Sequence, residues 1–540
     1  MFKYLIFFLL AAPTTAFALV DMRNANFADP WVDLELSGTG YDLSVKRTYN
    51  SRTLYNGMFG FGWCSRFESK IETKSDGTLV LTTCGAGNET VFYPSNFKKT
   101  DVKNVVESIV ENMKKSGQRF SAKYFNELSD QLYNDRKKRE ELAQKYNINA
   151  SIKNGTVFKA NLKGIDNIVY KDKQFVRTLS NSTTEVYDSN GKLVRKNDKN
   201  GNYLLFEYGK DSQISKIKDN KARQLSFTWT KSGKVKSIVG PKGLSATYSY
   251  DGQDLVKVTN AWKNTYTYQY DSLHNLTKIS YPDNTTREIK YDTNKDWVVA
   301  FKHRDGCFEE YDYKQNKNNP DRHYTTALVK KCKGKVVTKS EYEFLFKPSE
   351  TGQGDYLAKV RSEVNGRKTT IQYHPLHEKP VMVNENGLVT KYSYYQNGLV
   401  HKKTVGKLVT EFKYDPKCKK VNAVKVGKNN TQFRYDAKCN LSIAKSSTGL
   451  AVKLDYDRSG RIVGLIDQAK RKVLIEYNEK VGKPGVVTRP GVGKLLVSYK
   501  DNGEIAKVDS KEGAAVAVQV ARAFNSLVEL IRPAGVELGI

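Results

Sequence analysis

The chain has 540 residues and a mass of 61.2 kDa, and 39% of its residues are hydrophobic and 27% charged. A mean hydropathy of −0.61 excludes an integral membrane protein, and 33 Tyr with 23 Phe exclude disorder along most of the chain. The formal net charge of +31 favours anionic partners. At roughly 150 residues per domain, the length allows three or four domains or one large repeat array.

A short apolar segment opens the chain. Lys3 supplies a positive charge, Tyr4 to Ala12 is apolar, and Ala16-Phe17-Ala18 has the small residues of a cleavage site. We predict a signal peptide over residues 1–18, cut after Ala18. The alternative is an anchoring helix, but the apolar run is shorter than the about 20 residues that cross a bilayer. The expected location is therefore secreted, periplasmic or at the cell surface.

Residues 19–100 are expected to form an N-terminal β region, whereas residues 101–148 break the β pattern. A first helix is indicated by apolar residues at helical spacing: Val102, Val105, Val106, Ile109, Val110 and Met113. Asp101 could cap this helix, and Gly117 would end it. A second helix is predicted over about residues 121–146, with an apolar side of Phe125, Leu128, Leu132 and Leu142. This insertion is either a helical hairpin packed on a sheet or an element that docks a partner.

A repeat of about 21 residues runs through residues 149–510. Tyr-Asp pairs recur at Tyr187-Asp188, Tyr250-Asp251, Tyr270-Asp271, Tyr291-Asp292, Tyr414-Asp415, Tyr435-Asp436 and Tyr456-Asp457. With degenerate copies such as Tyr208 included, aromatic anchors fall at positions 187, 208, 229, 250, 270, 291 and 313, and again at 373, 394, 414, 435, 456, 477 and 499. Phe344 is the expected intermediate anchor where the period stretches.

Each repeat predicts two short strands and a turn. Asp188 can bond nearby backbone N–H groups, and Gly191, like Gly460 in a later copy, can supply a positive φ. Aromatic residues alternate with Thr, Ser and Lys, as in strands with one packed face. Stacked hairpins of fixed period predict an all-β fold, a long and twisting antiparallel sheet whose concave face carries the Tyr and Leu side chains. Asp after Tyr therefore indicates a turn rather than a catalytic carboxylate.

Residues 511–540 form the last predicted region. The segment 513–531 is rich in Ala and Val and is expected to be a helix. It could plug the open end of the sheet or lie on its inner face, because the edge strands of such an array must be covered. The alternative is a docking helix for another protein.

Six cysteines fall as three local pairs: Cys64 with Cys84, Cys307 with Cys332, and Cys418 with Cys439. An even number in an oxidising compartment suggests disulfides. The first two pairs could each meet across a hairpin. The third pair stays open, because equivalent positions one repeat apart lie two strands away, roughly 9–10 Å. A disulfide needs Cα atoms closer than about 7 Å.

The pattern Tyr-Asp-x-x-Gly-x-Leu resembles the YD repeats of the rearrangement-hotspot (RHS) family, which teneurins and insecticidal toxin-complex subunits share. A second segment resembles the opening of RHS cores and contains Arg47, Tyr49, Asn50, Ser51, Arg52, Gly57, Phe59, Gly60, Gly62 and Trp63. The resemblance covers about residues 28–95 and 160–508. It implies a strand that spirals into a shell or partial shell. Family members enclose a toxic C-terminal polypeptide or use the outer surface for adhesion.

The chain departs from the bacterial toxins of that family at the cleavage motif Asp-Pro-x-Gly. Lys483-Pro484-Gly485 and Arg532-Pro533-Ala534-Gly535 both lack the Asp. About 30 residues follow the last repeat, fewer than a toxin domain needs. We therefore expect a version without cargo, or an open one.

The sequence contains no recognisable catalytic constellation. His374 and His377 with Glu378 resemble a ligand cluster, but Pro375 precludes the helix on which zinc proteases carry paired His. Neither a G-x-S-x-G nor a phosphate-loop motif occurs. We expect a non-enzymatic protein without metal or cofactor.

Lysine runs thread the repeats: Lys330, Lys331, Lys333, Lys335, Lys417, Lys419, Lys420, Lys470, Arg471 and Lys472. They either form a solvated face or attract anions, and Lys does so as a point charge without bidentate recognition. The expected function is a surface-binding scaffold for anionic polysaccharide or envelope polymer. The alternative is a chaperone-like shell that holds a polypeptide through its concave face, residues 101–148 or the C-terminal helix. Specific nucleic-acid binding and a membrane span are not expected.

Overall fold

The structure is a computed structural model that describes residues 19–38, 40–84, 89–117, 120–160, 166–209, 211–349, 355–500, 505–510, 512–513, 515–516, 518–520, 522 and 531. The predicted signal peptide therefore lies outside the described residues. Within these ranges, none of the helices has the length and apolar character needed to cross a membrane.

Six short strands form the N-terminal region: β1 Leu19–Asp21, β2 Asn26–Leu36, β3 Leu43–Asn50, β4 Asn56–Gly57, β5 Gly60–Phe61 and β6 Trp63–Ser65. Four of them make a sheet in the order β1-β2-β3-β6, and β4 pairs with β5. A 3₁₀ turn, Arg66–Glu68, follows. In β3 every second side chain is buried, which is the period of a strand packed on one face. We call residues 19–69 the N-terminal plug.

The remaining strands form one long antiparallel sheet. Its first half comprises β7 Lys70–Thr73, β8 Leu79–Thr82, β9 Glu89–Pro94, β10 Val157–Ala160, β11 Asn167–Lys171, β12 Gln174–Thr178, β13 Thr184–Tyr187, β14 Leu193–Asn197, β15 Tyr203–Tyr208, β16 Ile214–Asp219, β17 Gln224–Trp229, β18 Val235–Val239, β19 Ser245–Asp251, β20 Asp254–Thr259, β21 Thr265–Tyr270, β22 Leu276–Ser280, β23 Thr286–Tyr291 and β24 Val298–Lys302. A second 3₁₀ turn, Pro241–Gly243, lies between β18 and β19.

The second half comprises β25 Phe308–Gln315, β26 His323–Cys332, β27 Lys335–Pro348, β28 Asp355–Val364, β29 Arg367–Tyr373, β30 Pro380–Glu385, β31 Leu388–Tyr394, β32 Val400–Val405, β33 Leu408–Tyr414, β34 Val421–Val426, β35 Asn429–Tyr435, β36 Leu441–Ser446, β37 Ala451–Tyr456, β38 Ile462–Asp467, β39 Lys472–Asn478, β40 Lys483–Arg489, β41 Gly493–Tyr499 and β42 Ile505–Asp509. The strands β26 to β28 are 10, 14 and 10 residues long, which explains the stretched period around Phe344.

Each strand from β7 to β42 pairs with the next one along the chain, so the all-β fold class is confirmed. In the described part of the chain the sheet has 36 strands, and strands hold 54% of the residues. The described pairings leave β7 and β42 as the two ends of this series, apart from a single bridge between Lys70 and Lys192. Among the described residues β7 and β42 are not paired with each other, so the sheet is a spiral with two ends.

The spiral has a local cause in the repeat. The register shifts directly before the repeat aromatic in strand after strand, for example between Glu207 and Tyr208 and between Arg434 and Tyr435. Such a bulge adds one residue to one strand, bends it and increases its twist. Because the bulges recur with the repeat along one edge of the sheet, their bends add up to curvature.

Two buried clusters lie along the inner face of the sheet. In the first, side chains of the plug such as Phe27, Leu34 and Trp63 pack against β7 to β25. In the second, β33 to β41 pack against Val520 and Ile531. Residues 515–516, 518–520, 522 and 531 are helical, and the rest of the predicted segment 513–531 lies largely outside the described residues.

The insertion contains three helices: α1 Lys99–Lys115, α2 Ala122–Asn134 and α3 Arg136–Lys145. The prediction of one helix over 121–146 is wrong, because the chain breaks at Asp135, whose backbone is extended and whose side chain accepts from the N–H of Lys138 as the cap of α3. The first helix starts before Asp101, whose carboxylate accepts from the N–H of Lys98. The helices share a small core of their own.

Candidate functional site

In most repeats the aromatic anchor ties its hairpin to the preceding one, whereas the hydroxyl of Tyr187 bonds Ser69 and Glu185. The hydroxyl groups of Tyr208 and Tyr456 donate to the carbonyls of Leu193 and Leu441, both at 2.7 Å. An equivalent bond to a carbonyl 14 or 15 residues earlier is made by Trp229, Tyr250, Tyr270, Tyr291, Tyr313, Tyr394, Tyr414, Tyr435, Tyr477 and Tyr499. Burial raises the pKa of Tyr414 to about 12, so this hydroxyl stays a donor at neutral pH. The anchors act as structural donors.

The Asp of the Tyr-Asp pair organises the turn. Oδ1 of Asp188 accepts from the N–H groups of Asn190 and Lys192, both at 2.9 Å. The same arrangement recurs at Asp271, Asp436 and Asp457. Asp292 and Asp415 accept from the N–H groups two and three residues further on. Gly191 has φ +75°, and a Cβ there would lie 1.8 Å from the carbonyl oxygen of Ile71, so only glycine fits. Asp251 differs, since it ends β19 and pairs with Asp254 across a tighter turn.

The N-terminal motif holds the plug inside the repeats. Nε of Arg47 lies 2.7 Å from Oδ2 of Asp33, and both side chains are fully buried. A second nitrogen of Arg47 donates to the hydroxyl of Tyr268 at 2.7 Å, and the guanidinium lies 4.1 Å from the ring centre of Trp63. The indole of Trp63 donates to the hydroxyl of Tyr270 at 2.9 Å. These bonds join β2, β3 and β6 of the plug to β21 of the sheet.

The remaining motif residues shape the plug around this centre. The hydroxyl of Tyr49 accepts from the N–H of Leu276 at 2.9 Å, and Phe59 packs against Tyr248. A Cβ at Gly62 would lie 2.6 Å from the ring of Tyr49. Further contacts of the motif involve Asn50 with Gly62, Ser51 with Phe27, Arg52 with Lys295, Gly57 with Gly60, and Gly60 with Gln253. The motif is a packing element.

The six cysteines form three disulfides in the predicted pairs. Cys64–Cys84 joins the plug to the sheet, Cys307–Cys332 joins β26 to the turn before β25, and Cys418–Cys439 joins two neighbouring Tyr-Asp turns. The pair that the sequence left open, Cys418–Cys439, has a Cα–Cα distance of 5.5 Å. The turns lean together because bulges precede both Tyr414 and Tyr435.

The structure does not gather the predicted lysine runs into one site. Lys330, Lys331, Lys333 and Lys335 lie around the β26–β27 turn, and Lys470, Arg471 and Lys472 lie around the β38–β39 turn. Lys417, Lys419 and Lys420 lie in the β33–β34 turn, on the opposite edge. Several members have partners: Lys330 with Glu309, Lys331 with Glu310, Arg471 with Asp467, Lys417 with the carbonyl of Ala437, and Lys420 with that of Cys439. The three carboxylates compensate part of the charge of the runs, and the two carbonyls occupy donors of Lys417 and Lys420 without changing their charge.

A basic surface that sequence reasoning missed lies on the outer face of β31 to β37. Each of these seven strands contributes one basic side chain: Lys391, Lys402, Lys413, Lys425, Arg434, Lys445 and Lys453. In β33 to β36 these side chains are exposed, while the intervening Phe412, Val424, Phe433 and Ala444 are buried. Residues 388–455 hold 14 Lys or Arg and 4 Asp or Glu, a net charge of +10. We call the seven residues the outer basic strip.

The outer basic strip has little compensating charge of its own. Glu411 pairs with Lys402 at 2.9 Å, and Asp455 pairs with Lys453 at 3.1 Å. Neighbouring strands are about 4.8 Å apart, so the strip extends roughly 30 Å across the sheet. The sequence does not indicate the strip directly, because its residues are spread over seven strands. A usable signal is the basic residue directly before the repeat tyrosine, as in Lys413-Tyr414 and Arg434-Tyr435.

On the inner face of the sheet, the side chains of β29 to β32 are less buried than those of the strands on either side. The inward positions of Phe412 and Val424 in β33 and β34 correspond to those of Ile371, Val383 and Tyr392 in β29 to β31. These three side chains are half-buried, whereas Phe412 and Val424 are buried. Lys403 stands opposite Tyr392 and takes the place of Val424. We call Ile371, Val383, Tyr392 and Lys403 the inner open strip.

The histidine cluster found in the sequence forms a turn. Nδ1 of His374 accepts from the N–H groups of Leu376 and His377, at 3.1 and 3.3 Å. The rings of His374 and His377 stack with their centres 4.6 Å apart. Among the described residues there is no group of three or more His, Cys, Asp or Glu side chains that could hold a metal ion.

Two family models match the chain in the order expected from its motifs. A domain of unknown function, DUF6531, matches residues 19–92, which contain the plug, and the Teneurin YD-shell matches residues 78–340 of the sheet. The chain belongs to the RHS/YD-repeat family. It is a YD-shell scaffold, and the comparisons indicate no enzyme family. None of the curated proteins matches it.

Solved structures similar to this YD-repeat protein come from Tc toxins. The crystal structure of TcdB2-TccC3-TEV is 11% identical with a TM-score of 0.38, and covers 95% of this chain and 31% of its own. The crystal structure of TcdB2-TccC3-Cdc42 is 12% identical with a TM-score of 0.38, and the match covers 64% of this chain and 23% of the other. A Tc holotoxin pore of Photorhabdus luminescens is 10% identical with a TM-score of 0.37, covering 90% and 28%. This chain thus spans less than a third of those chains.

Proposed function

We propose that this YD-repeat protein is a non-enzymatic scaffold that binds acidic polysaccharide on its outer basic strip. The observation that carries the proposal is the placement of one basic side chain on each of seven neighbouring strands, on the face opposite the buried core. A flat row of like charges attracts a linear polymer with a charge on each unit, and a rigid sheet holds the charges without further loss of backbone entropy. Three disulfides indicate that the protein works in an oxidising, extracytoplasmic compartment.

The attraction should be electrostatic and only weakly selective. Six of the seven residues are Lys, which acts as a compact point charge rather than as a bidentate fork. We therefore expect affinity for polygalacturonate, none for uncharged dextran, and a fall of about tenfold or more between 50 and 200 mM NaCl, as for other polyelectrolyte contacts. Affinity that does not change with salt would contradict the proposal.

A charge-reversal pair of variants locates the surface. Lys413→Glu, Lys425→Glu and Lys445→Glu together reverse three of the four exposed basic side chains of the strip in β33 to β36. The matched control is Lys236→Glu, Lys257→Glu and Lys290→Glu, three exposed lysines on β18, β20 and β23 with the same change in net charge. The first variant should lose at least about tenfold in affinity for polygalacturonate, and the control much less. Equal losses of affinity in the two variants would mean that net charge alone, and not the outer basic strip, determines binding.

A second candidate function, that of a shell holding a polypeptide, is favoured by the inner open strip. The half-buried Ile371, Val383 and Tyr392 offer an apolar floor, and Lys403 adds a positive charge beside it. Such a surface fits an extended polypeptide with apolar and acidic side chains. The test is a photo-crosslinking amino acid at position 392, with position 413 on the outer face as control. This function would be supported if position 392, but not position 413, forms crosslinks to another protein in 1 M NaCl. The absence of such crosslinks at position 392 would exclude it.

A further inference from the structure

Turns far apart in sequence meet at one place in the spiral. The β14–β15 turn, residues 198–202, lies against the β35–β36 turn, residues 436–440, which is twenty-one strands further on. Nζ of Lys199 donates to the carbonyl of Cys439 at 2.7 Å, and Nδ2 of Asn440 donates to Oδ1 of Asn200 at 3.0 Å. Nδ2 of Asn202 donates to the carbonyl of Ser459 at 3.0 Å. We call these contacts the seam, because they join one winding of the spiral to the next.

One disulfide ends at the seam. Cys439, whose carbonyl accepts from Lys199, is bonded to Cys418 in the neighbouring Tyr-Asp turn. Nζ of Lys420, two residues after Cys418, donates to the same carbonyl at 3.1 Å. The seam thus depends on the position of a residue that the disulfide holds. The other two disulfides lie elsewhere, at the plug and at the β25–β26 hairpin.

Cys439 occupies the glycine position of the repeat. It lies three residues after Asp436, as Gly191 lies after Asp188 and Gly460 after Asp457. It also has the positive φ of those glycines, +63° compared with +75° and +83°. A side chain in this conformation is disfavoured relative to the right-handed region. His274, three residues after Asp271, has a similar φ of +66°, so this turn also accommodates side chains, and Cys439 fits it.

The electrostatics of the seam also call for a constraint. Two ammonium groups, those of Lys199 and Lys420, converge on one carbonyl oxygen. Burial, followed by the charge of Lys420, lowers the pKa of Lys199 to about 7, while Asp436 and Asp198 act in the opposite direction. Two like charges brought together on a half-buried site favour separation of the turns. The Cys418–Cys439 disulfide lies on one side of the seam, where it fixes the turn whose carbonyl both ammonium groups share.

We propose that oxidation of Cys418 and Cys439 closes the seam, so that these parts of the spiral are separate while the thiols are reduced and meet after export. In the closing step the thiolate of one cysteine attacks a disulfide oxidant, and the thiolate of the other then attacks the mixed disulfide. The S–S bond forms, two protons leave, and the oxidant accepts two electrons to become a dithiol. The reverse reaction with a dithiol reductant opens the seam. This inference is independent of the polysaccharide-binding proposal.

Hydrogen exchange of the full chain tests the seam directly. In the double variant Cys418→Ser with Cys439→Ser, amides of residues 198–202 and 436–440 should exchange at least about tenfold faster than in the wild type. The matched control, Cys307→Ser with Cys332→Ser, removes a disulfide away from the seam and should leave those amides unchanged. Unchanged exchange in the first variant, or an equal increase in the control, would overturn the proposal.

A second variant separates the covalent link from backbone strain. Cys418→Ser with Cys439→Gly restores the glycine of the repeat but not the disulfide. The proposal requires fast exchange of residues 198–202 in this variant too, and full protection would overturn it. Since a variant could fail to fold, folded wild-type protein is also treated with a phosphine, and alkylation identifies the reduced cysteines. Protection at the seam that survives reduction of Cys418–Cys439 would also overturn the proposal.

Discussion

Arg47 and Asp33 form an ion pair with no exposed surface in the centre of the plug. Arg47 also bonds the hydroxyl of Tyr268 and stacks over Trp63, so one guanidinium links three strands of the plug to the sheet. Charges removed from water cost free energy, which such a pair recovers only when its hydrogen bonds are satisfied. The pair therefore fixes where the plug sits more than it adds to stability.

Arg47→Ala should lower the free energy of unfolding by about 3–5 kcal/mol, because Asp33 is left buried without its cation. Urea denaturation followed by tryptophan fluorescence would measure the change, since Trp63 lies beside Arg47. The control is Lys314→Ala, which removes an exposed pair with Asp312 and should cost less than about 1 kcal/mol. Similar losses in the two variants would contradict the importance of the buried pair.

Asp29 gives the plug a pH dependence. Burial raises the pKa of Asp29 from 3.8 to about 6, although Arg287 and the indole of Trp31 oppose the shift. Because the folded-state pKa lies above the unfolded one, the folded protein binds more protons between these values. The contribution to stability is present below about pH 4 and is lost as the pH rises through 6.

Asp29→Asn should therefore gain stability relative to the wild type by about 2–3 kcal/mol as the pH rises from 4 to 7. Urea denaturation of both proteins at several pH values gives this difference. The exposed Asp312→Asn serves as control, and its difference from the wild type should change little over the same range. A constant difference for Asp29→Asn would contradict the assigned role.

At the scale of the element, the repeat is a hairpin with a built-in connection to its predecessor. The aromatic donor reaches back over 14 or 15 residues, the Asp closes the turn, and the bulge before the aromatic bends the strand. These features follow from local sequence, which is why the 21-residue period predicted the strands and turns well. The hydrogen bond of the aromatic was not predicted, because its acceptor is a backbone carbonyl with no sequence signature.

Tyr435→Phe should lower stability by about 0.5–1.5 kcal/mol, because it deletes the bond to the carbonyl of Val421 and keeps the ring. Hydrogen exchange should increase mainly in the hairpins around β34 and β35, since each repeat contacts its neighbours. Tyr133→Phe, on an exposed face of α2, is the control and should change stability by less than about 0.5 kcal/mol. A loss spread evenly over the sheet would argue against local coupling.

At the scale of the molecule, the two ends of the sheet are covered by different means. The plug fills the inner face of the first strands, and the C-terminal segment contributes Val520 and Ile531 to the second cluster, both fully buried. The sequence predicted that the C-terminal helix either closes the open end of the sheet or lies on its inner face. Both placements are compatible with these contacts of Val520 and Ile531. Between the two covered regions lies the inner open strip.

Val520→Asp should detach the C-terminal segment, because an unpaired carboxylate cannot remain in that cluster. The expected results are binding of a hydrophobic dye and faster exchange in β36 to β39, whose Leu465 and Val473 pack in the same cluster. Arg522→Asp, at an exposed helical position nearby, is the control and should leave both unchanged. Dye binding in neither variant would mean that the segment does not cover the sheet.

The sequence by itself determined the all-β fold, the repeat and the turn-forming role of Asp, and it suggested the partners of four of the six cysteines. All of these depend on residues near one another in the chain, where turn chemistry and strand periodicity act directly. Only the tertiary structure decided that Cys418 meets Cys439, that seven separate basic residues form one strip, and that residues 199 and 439 meet at a seam. The reason is that bends of single bulges add up over many strands, and their sum has no local signature.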